Sequence, residues 1–248
     1  MTFKNTYFLL IVIVTIVSPL NISAATQENT LTLDRQIANV RGLYSLYDGW
    51  DISLRASGSL SSQNALLLAQ VDKRLDKYWA DASSVITSDN NGVNLTAGVL
   101  AEISQQHGSA ASNRIHAWKR ISRLSKGLSE RDMLNQVNKF FNRLVFKTDQ
   151  ENWGRADYWA SPIEFLISNA GDCEDFAIAK YFTLKAMGVQ IERLRITYVK
   201  SERRNQAHMV LAYYEDPTKE PLILDNLTSK ILPATKRPDL TPVFSFNG

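Results

Sequence analysis

The stretch Asn169-Ala-Gly-Asp-Cys-Glu-Asp-Phe-Ala-Ile-Ala-Lys-Tyr-Phe-Thr-Leu-Lys-Ala-Met-Gly188 carries the one cysteine of the protein, Cys173. Asn169 and Gly171 are turn residues able to take positive φ. Asp172 is a good helix N-cap. Cys173, Ala177, Tyr181 and Leu184 then recur at helical spacing, and Gly188 is suited to stop the helix. The spacing therefore predicts a helix with Cys173 in its first turn. Free N–H groups and partial positive charge at a helix N-terminus favour a thiolate. The competing reading is a small buried apolar residue, a common fate of lone cysteines.

The chain start bears on that choice. Met1–Ala25 reads as a secretory signal peptide: Lys4 is a short basic region, Tyr7 to Val17 is nearly unbroken apolar sequence, and Ser23-Ala24-Ala25 offers small residues for cleavage. The apolar run is short of the ~20 residues a membrane span needs, although an uncleaved N-terminal anchor is the alternative. No later stretch reads as a span. Exported cysteines usually pair, and here there is no second one. A free thiol in an exported chain favours a chemical task.

Without the signal segment the chain carries 27 basic and 25 acidic residues. That balance gives no electrostatic case for nucleic acid as a partner. Helices are predicted at Leu31–Leu46 and, with a strong apolar face, at Gln63–Ala82, with a loop at Ser88–Gly92. A further helix is predicted at about Ser112–Lys126, with Ile115, Trp118 and Ile121 inward. Ser129 and Asp132 resemble a capping box, opening a helix that buries Met133, Val137, Phe140, Phe141 and Leu144. Ser161-Pro-Ile-Glu164 opens a short helix with Ser as N-cap and Pro at its first position. The aromatic stretch Trp153–Trp159 is either buried beside this region or a docking surface.

After Gly188 the pattern changes to strands around Leu194–Val199, Met209–Tyr214 and Pro221–Leu224, joined by hairpin-like connections. Helices first and an antiparallel sheet after, with the cysteine helix packed on the sheet, is an α+β arrangement. His208 opens the second strand and Asp225 follows the third. Adjacent strands can bring the two together near the cysteine helix. Cys173, His208 and Asp225 thus supply a nucleophile, its base and the carboxylate that orients the base. His107 and His116 fall in the helical half and read as surface residues.

Asp172, Glu174 and Asp175 flank the thiol, and negative charge opposes its ionisation. Two readings of these acids stand side by side. They cap the helix, or they contribute to an oxygen site for a hard cation such as Ca²⁺.

Four stretches carry a family resemblance: Asp157-Tyr-Trp-Ala-Ser-Pro-Ile-Glu-Phe165, Gly171-Asp-Cys-Glu-Asp-Phe-Ala-Ile-Ala-Lys-Tyr-Phe182, Ala207-His-Met-Val-Leu-Ala-Tyr-Tyr214 and Leu224-Asp-Asn-Leu227. In this order and spacing they resemble the bacterial transglutaminase-like cysteine proteases. The likeness runs from about Leu100 to Gly248, which sets a protease domain at 99–248 behind a helical N-terminal extension, 26–98, unlike the family's usual short segment.

The resemblance implies a papain-like or transglutaminase-like fold with Cys173, His208 and Asp225 as catalytic residues. It implies calcium dependence, with Asp172, Glu174 and Asp175 as ligands. It implies a periplasmic endopeptidase that cuts a large cell-surface adhesin near its N-terminus, at a pair of alanines, and so disperses biofilm. It further implies restraint by the periplasmic domain of an inner-membrane cyclic di-GMP receptor. Acyl transfer to an amine, as in true transglutaminases, would use the same three residues. A non-catalytic exported binding module is the third class, and it leaves their joint placement without a use.

Overall fold

The computed structural model describes residues 92–246. Met1–Ala25, the predicted helices Leu31–Leu46 and Gln63–Ala82, and most of the predicted loop at Ser88–Gly92 lie outside the described residues.

The helical part comes first. Helix α1, Ala97–Ser122, is capped by Thr96, whose side chain accepts from the Val99 N–H. It starts well before the predicted Ser112 and stops at Ser122, short of Lys126. Gly108 breaks it at φ 80°, so the segment is two helical pieces meeting at a kink, of which the sequence pattern predicts only the second. Ile115 and Trp118 are buried as expected. Helix α2, Glu130–Phe141, has Ser129 as N-cap, accepting from the Asp132 N–H. Met133, Leu134, Val137 and Phe141 form its buried face, while Phe140 and Leu144 are only half-buried against the core.

Strand β1, Val145–Phe146, leads to the short helix α3, Asp149–Trp153, which has a reciprocal capping box between Thr148 and Glu151. Helix α4, Pro162–Ser168, has the predicted Ser161–Glu164 capping box and Pro at its start. It ends at Asn169, which takes φ 61°. Strand β2, Ala170–Gly171, pairs parallel with β1. Then comes the cysteine helix α5, Cys173–Ala186, with Asp172 at its N-cap position, and Gly188 beyond its end at φ 93°.

The sheet follows, with strands β3 (Leu194–Ser201), β4 (Gln206–Tyr213), β5 (Leu222–Leu224), β6 (Leu232–Pro233) and β7 (Leu240–Phe246). Among the described residues their order is β6-β5-β4-β3-β7, and every pairing is antiparallel. The three predicted strands are present. The sequence pattern gave no sign of β6 or β7, since Pro233 and Pro242 interrupt strand character, and proline is tolerated at sheet edges. Both strands are edges, and the β3–β7 register shifts between Tyr198 and Val199, opposite Pro242.

One face of the sheet joins the helices in the main core: Leu194, Ile196, Met209, Leu211, Tyr213 and Leu224 lie with Ile178, Tyr181 and Leu184 of α5. Val199, Val210, Ala212, Ile223 and Leu240 form a second cluster. Polar contacts from α1 pin both α5 and α4 in place. The Trp118 indole N–H donates to Thr183 Oγ1 at 2.7 Å, and Arg114 donates to the Leu166 and Ile167 carbonyls at 2.6 and 2.7 Å. Among the described residues no helix is long and apolar enough to cross a membrane.

Candidate active site

Gly171 has a different role from the one its turn chemistry suggested. It is not among the residues with positive φ. A Cβ there would run into the Asp175 carboxylate and the Phe165 ring. Its value is therefore close approach, which brings α4 and β2 against the first turn of α5. Asp175 explains the crowding. It is fully buried, and its two oxygens accept from the Ala160 N–H at 2.7 Å and the Asp172 N–H at 3.2 Å. This carboxylate ties the Trp159–Ala160 segment to the cysteine helix. Trp159 is buried and Trp153 packs on Tyr158 with ring centroids 4.8 Å apart. Of the two readings of the aromatic stretch, burial holds for Trp159.

Cys173 is the first residue of α5 and is a free, half-buried thiol. It meets the sheet at the edge of β4. Strand β5 pairs only with Leu211–Tyr213, so the earlier part of β4 keeps backbone groups available on that side. The Met209 N–H, one residue after His208, is directed at the Cys173 sulfur. The thiol itself donates to Glu174 Oε2 at 3.1 Å. Burial pushes the thiol pKa well up, and the Glu174 and Asp172 charges add to it, with only the Met209 amide acting the other way.

His208 is buried on β4, and its Nε2 lies 2.8 Å from Asp225 Oδ1. Asp225 follows β5 and is fully enclosed, so burial alone would raise its pKa. The His208 hydrogen bond and charge, the Leu227 N–H and Arg237 outweigh burial and hold the carboxyl well below the usual range. With Nε2 occupied by the carboxylate, Nδ1 is the ring atom left to exchange a proton. The Asp225 loop is held from outside the sheet. Asn142, capping α2, donates from Nδ2 to the carbonyls of Asp225 and Thr228 at 2.8 and 3.0 Å, and Asn138 reaches the Ser229 carbonyl at 3.3 Å. The structure thus pairs His208 with Asp225 and sets the Cys173 sulfur beside the backbone next to His208. His107 and His116 are exposed on α1.

The acids group differently from the sequence reading. Asp172, Glu174 and Asp175 do not form one triple. Asp172 and Glu174 cluster with the Cys173 sulfur, Asp172 and Asp175 with Asp149, and Glu174 with Asp149 and Asp157, the ligand atoms of each group lying within 4.8 Å of one another. Asp149, at the start of α3, is common to the last two groups and has no signature in the sequence beyond its place after Thr148. Burial, then Glu174, Asp175 and Asp149, push the Asp172 pKa up to about 10. Burial also pushes Asp175 up to about 8, against the pull of the Ala160 amide. Asp172 Oδ1 is buried without a hydrogen-bond partner. Mutually repelling carboxylates with a buried unpartnered oxygen suit a hard, oxygen-seeking cation. Capping accounts for Asp175 but leaves that oxygen unexplained.

Lys180, two turns after Cys173, is a buried charge that the sequence reading passed over. Its ammonium lies 5.8 Å from the Phe176 ring centroid. Burial lowers its pKa to about 7, opposed by the Asp225 carboxylate. The unfolded lysine titrates near 10.5, so between these values the unfolded state binds more protons and this group makes stability rise with pH. The full penalty applies below pH 7. Lys180→Met removes it, while Asp225 keeps His208 and Arg237 as partners, and is expected to raise stability at neutral pH. In paired thermal melts that advantage should be greatest at or below pH 7 and fade toward pH 10. A pH-independent difference, or a less stable variant at pH 7, contradicts a penalised ammonium.

A helix-borne thiol beside a strand-borne imidazole–carboxylate pair, on this α+β frame, is the layout of transglutaminase-like cysteine proteases. The chain belongs to the bacterial transglutaminase-like cysteine proteinase family (BTLCP), whose profile matches residues 109–239. Among solved structures it is similar to Legionella pneumophila LapG. The calcium-bound form is 47% identical, covering 62% of this chain and 84% of that one, with a TM-score of 0.55. The EGTA-treated form is likewise 47% identical, covering 62% and 82%, with a TM-score of 0.56. No curated protein sequence matches.

Proposed function

We propose that this chain is a calcium-dependent periplasmic endopeptidase that uses Cys173, His208 and Asp225 to cut a large surface adhesin near its N-terminus. The observation that carries the reading is the 2.8 Å His208–Asp225 pair beside the strand amide that meets the Cys173 sulfur. Similarity to LapG, determined both calcium-bound and EGTA-treated, supports the metal. The leader-like Met1–Ala25 segment supports export. The adhesin and the restraining cyclic di-GMP receptor follow from the family resemblance.

In the proposed reaction His208 Nδ1 takes the thiol proton as Sγ attacks the scissile carbonyl carbon. The Cys173 N–H, at the start of α5, faces the developing oxyanion. As the C–N bond breaks, His208 returns the proton to the leaving amine, and a thioester remains on Cys173. His208 then takes a proton from water. The resulting hydroxide attacks the thioester, the C–S bond breaks, His208 returns that proton to the departing Cys173 sulfur, and the product leaves with a new carboxyl group. Asp225 keeps Nε2 protonated and steadies the imidazolium throughout. Asp149, Asp157, Asp172, Glu174 and Asp175 are the residues that would hold Ca²⁺. When bound, it supplies positive charge that offsets their repulsion of the thiolate and draws Glu174 away from the thiol proton.

The test is intact-mass spectrometry of an adhesin N-terminal region from the same organism, incubated with the exported chain, Ca²⁺ and a primary amine. Two fragments whose masses sum to the substrate plus one water are expected. An uncut substrate carrying an amine adduct would instead make the protein an acyl transferase, and an unchanged substrate would remove the adhesin from the proposal.

A further inference from the structure

Asp225 has a second partner that the three-residue account leaves unused. Its Oδ2 accepts from Arg237 Nη2 at 2.7 Å, while Oδ1 serves His208 and the Leu227 N–H, the latter at 3.0 Å. Arg237 is itself buried and is held by Asp239, with Nε to Oδ1 at 3.0 Å and Nη2 to Oδ2 at 2.9 Å. It follows the 3₁₀ turn Ala234–Lys236, and the Leu240 N–H donates to its carbonyl at 3.1 Å, which ties it to the start of β7. Asp239 is anchored in turn, its carbonyl accepting from the Glu202 N–H at 2.9 Å beside the β3–β4 hairpin. The chain His208–Asp225–Arg237–Asp239 therefore links β4, the loop after β5 and the entry to β7.

We propose that Arg237 is a positioning residue for the reaction, acting through Asp225 on the His208 ring. This rests on the proposed triad. The physical case has two parts. A carboxylate held through one oxygen can turn about its Cβ–Cγ bond and swing the imidazole with it. Arg237 on the second oxygen fixes that plane, and its planar donor fork suits the task. A fully buried carboxylate also needs a countercharge. His208 supplies one only when protonated, which alternates during turnover. Arg237 is charged throughout, so Asp225 stays ionised whether His208 holds the proton or not. Arginine suits the first part because lysine lacks the fork, and the second because a buried lysine gives up its charge readily, as Lys180 near Asp225 does with its pKa lowered to about 7.

The test is a double-mutant cycle on the full exported chain with Ca²⁺, reading kcat and KM separately. Arg237→Gln is expected to lower kcat about 10- to 100-fold, the range for outer partners that orient a histidine, with KM nearly unchanged. In an Asp225→Asn background the same change should have little further effect, because the asparagine amide cannot accept from Arg237. Asp239→Asn, which loosens Arg237 without removing its charge, should lower kcat in the same direction by less. Equal loss of kcat in both backgrounds, or wild-type kcat in both Arg237→Gln and Asp239→Asn, overturns the proposal. A substrate-free arm separates this from failure of the triad: the His208 Nε2–H proton resonance, followed by NMR. It should be sharp and downfield in wild type and broadened or lost in Arg237→Gln and, to a lesser degree, in Asp239→Asn. An unchanged resonance in both variants also overturns it. A shifted resonance in a chain that cuts no adhesin would uphold the positioning role while removing the proposed function.

Discussion

Cys173→Ala is expected to abolish cleavage, lowering kcat by roughly 10⁴-fold or more, while the protein melts within a few degrees of wild type. The structural reason for preserved folding is specific. The thiol is half-buried among carboxylates and donates to Glu174, a contact whose loss frees a carboxylate rather than opening a core cavity. Truncating it removes far less apolar contact than a core leucine would. His208→Ala should be as damaging, because no other histidine of the described residues lies near the thiol; His107 and His116 are exposed on α1. Asp225→Asn should retain more activity. An asparagine can still offer one oxygen to His208, but its amide then faces Arg237 donor to donor. Single-turnover rates for the three variants rank them directly. Near-wild-type turnover in the alanine variant at 173 or 208 would remove that residue from the chemistry.

Calcium removal is the second large effect expected. A calcium-selective chelator should stop cleavage and lower Tm, and added Ca²⁺ should restore both. The carboxylates around Cys173 explain the size of the effect. Burial and mutual repulsion raise the pKa values of Asp172 and Asp175, and the thiol holds its proton and donates it in a hydrogen bond to Glu174. Stabilisation should grow with free Ca²⁺ as RT ln(1 + [Ca²⁺]/Kd). Asp149→Asn separates a cation site from a helix cap. Asp149 accepts from the Tyr158 N–H at 2.5 Å and belongs to α3, so it takes no part in the α5 capping box although its carboxylate lies close to Asp172 and Asp175. It should weaken calorimetric Ca²⁺ binding at least tenfold. Full activity in chelator with no measurable Ca²⁺ binding would leave the acids as helix-capping groups alone.

Local signals explain what was legible. Asn169, Asp172, Cys173 and Gly188 announce the start and stop of α5 through residue types that need little context, and Ser161-Pro-Ile-Glu164 does the same for α4. His208 and Asp225 could be paired because alternation located their strands and short connections made those strands neighbours. Gly171 was misread because turn propensity and close approach select the same residue, and only coordinates distinguish them. Strand β7 was hidden by Pro242, and the first half of α1 by Gly108 and its many exposed positions. Asp149 and Arg237 left no pattern at all. Each reaches its partners across the fold, Asp149 to residues over 20 positions away and Arg237 to Asp225, 12 positions earlier. Long-range charge pairs of this kind have no period and no cap to reveal them.

The central claim, that His208 activates Cys173 once the surrounding acids are neutralised, is tested most directly by the rate at which iodoacetamide alkylates Cys173. Intact mass would be followed in wild type with Ca²⁺, wild type in chelator, and His208→Ala with Ca²⁺. The account predicts alkylation at least about tenfold faster in calcium-loaded wild type than in the other two, since the thiolate is the reacting form. Equal rates in all three would contradict it.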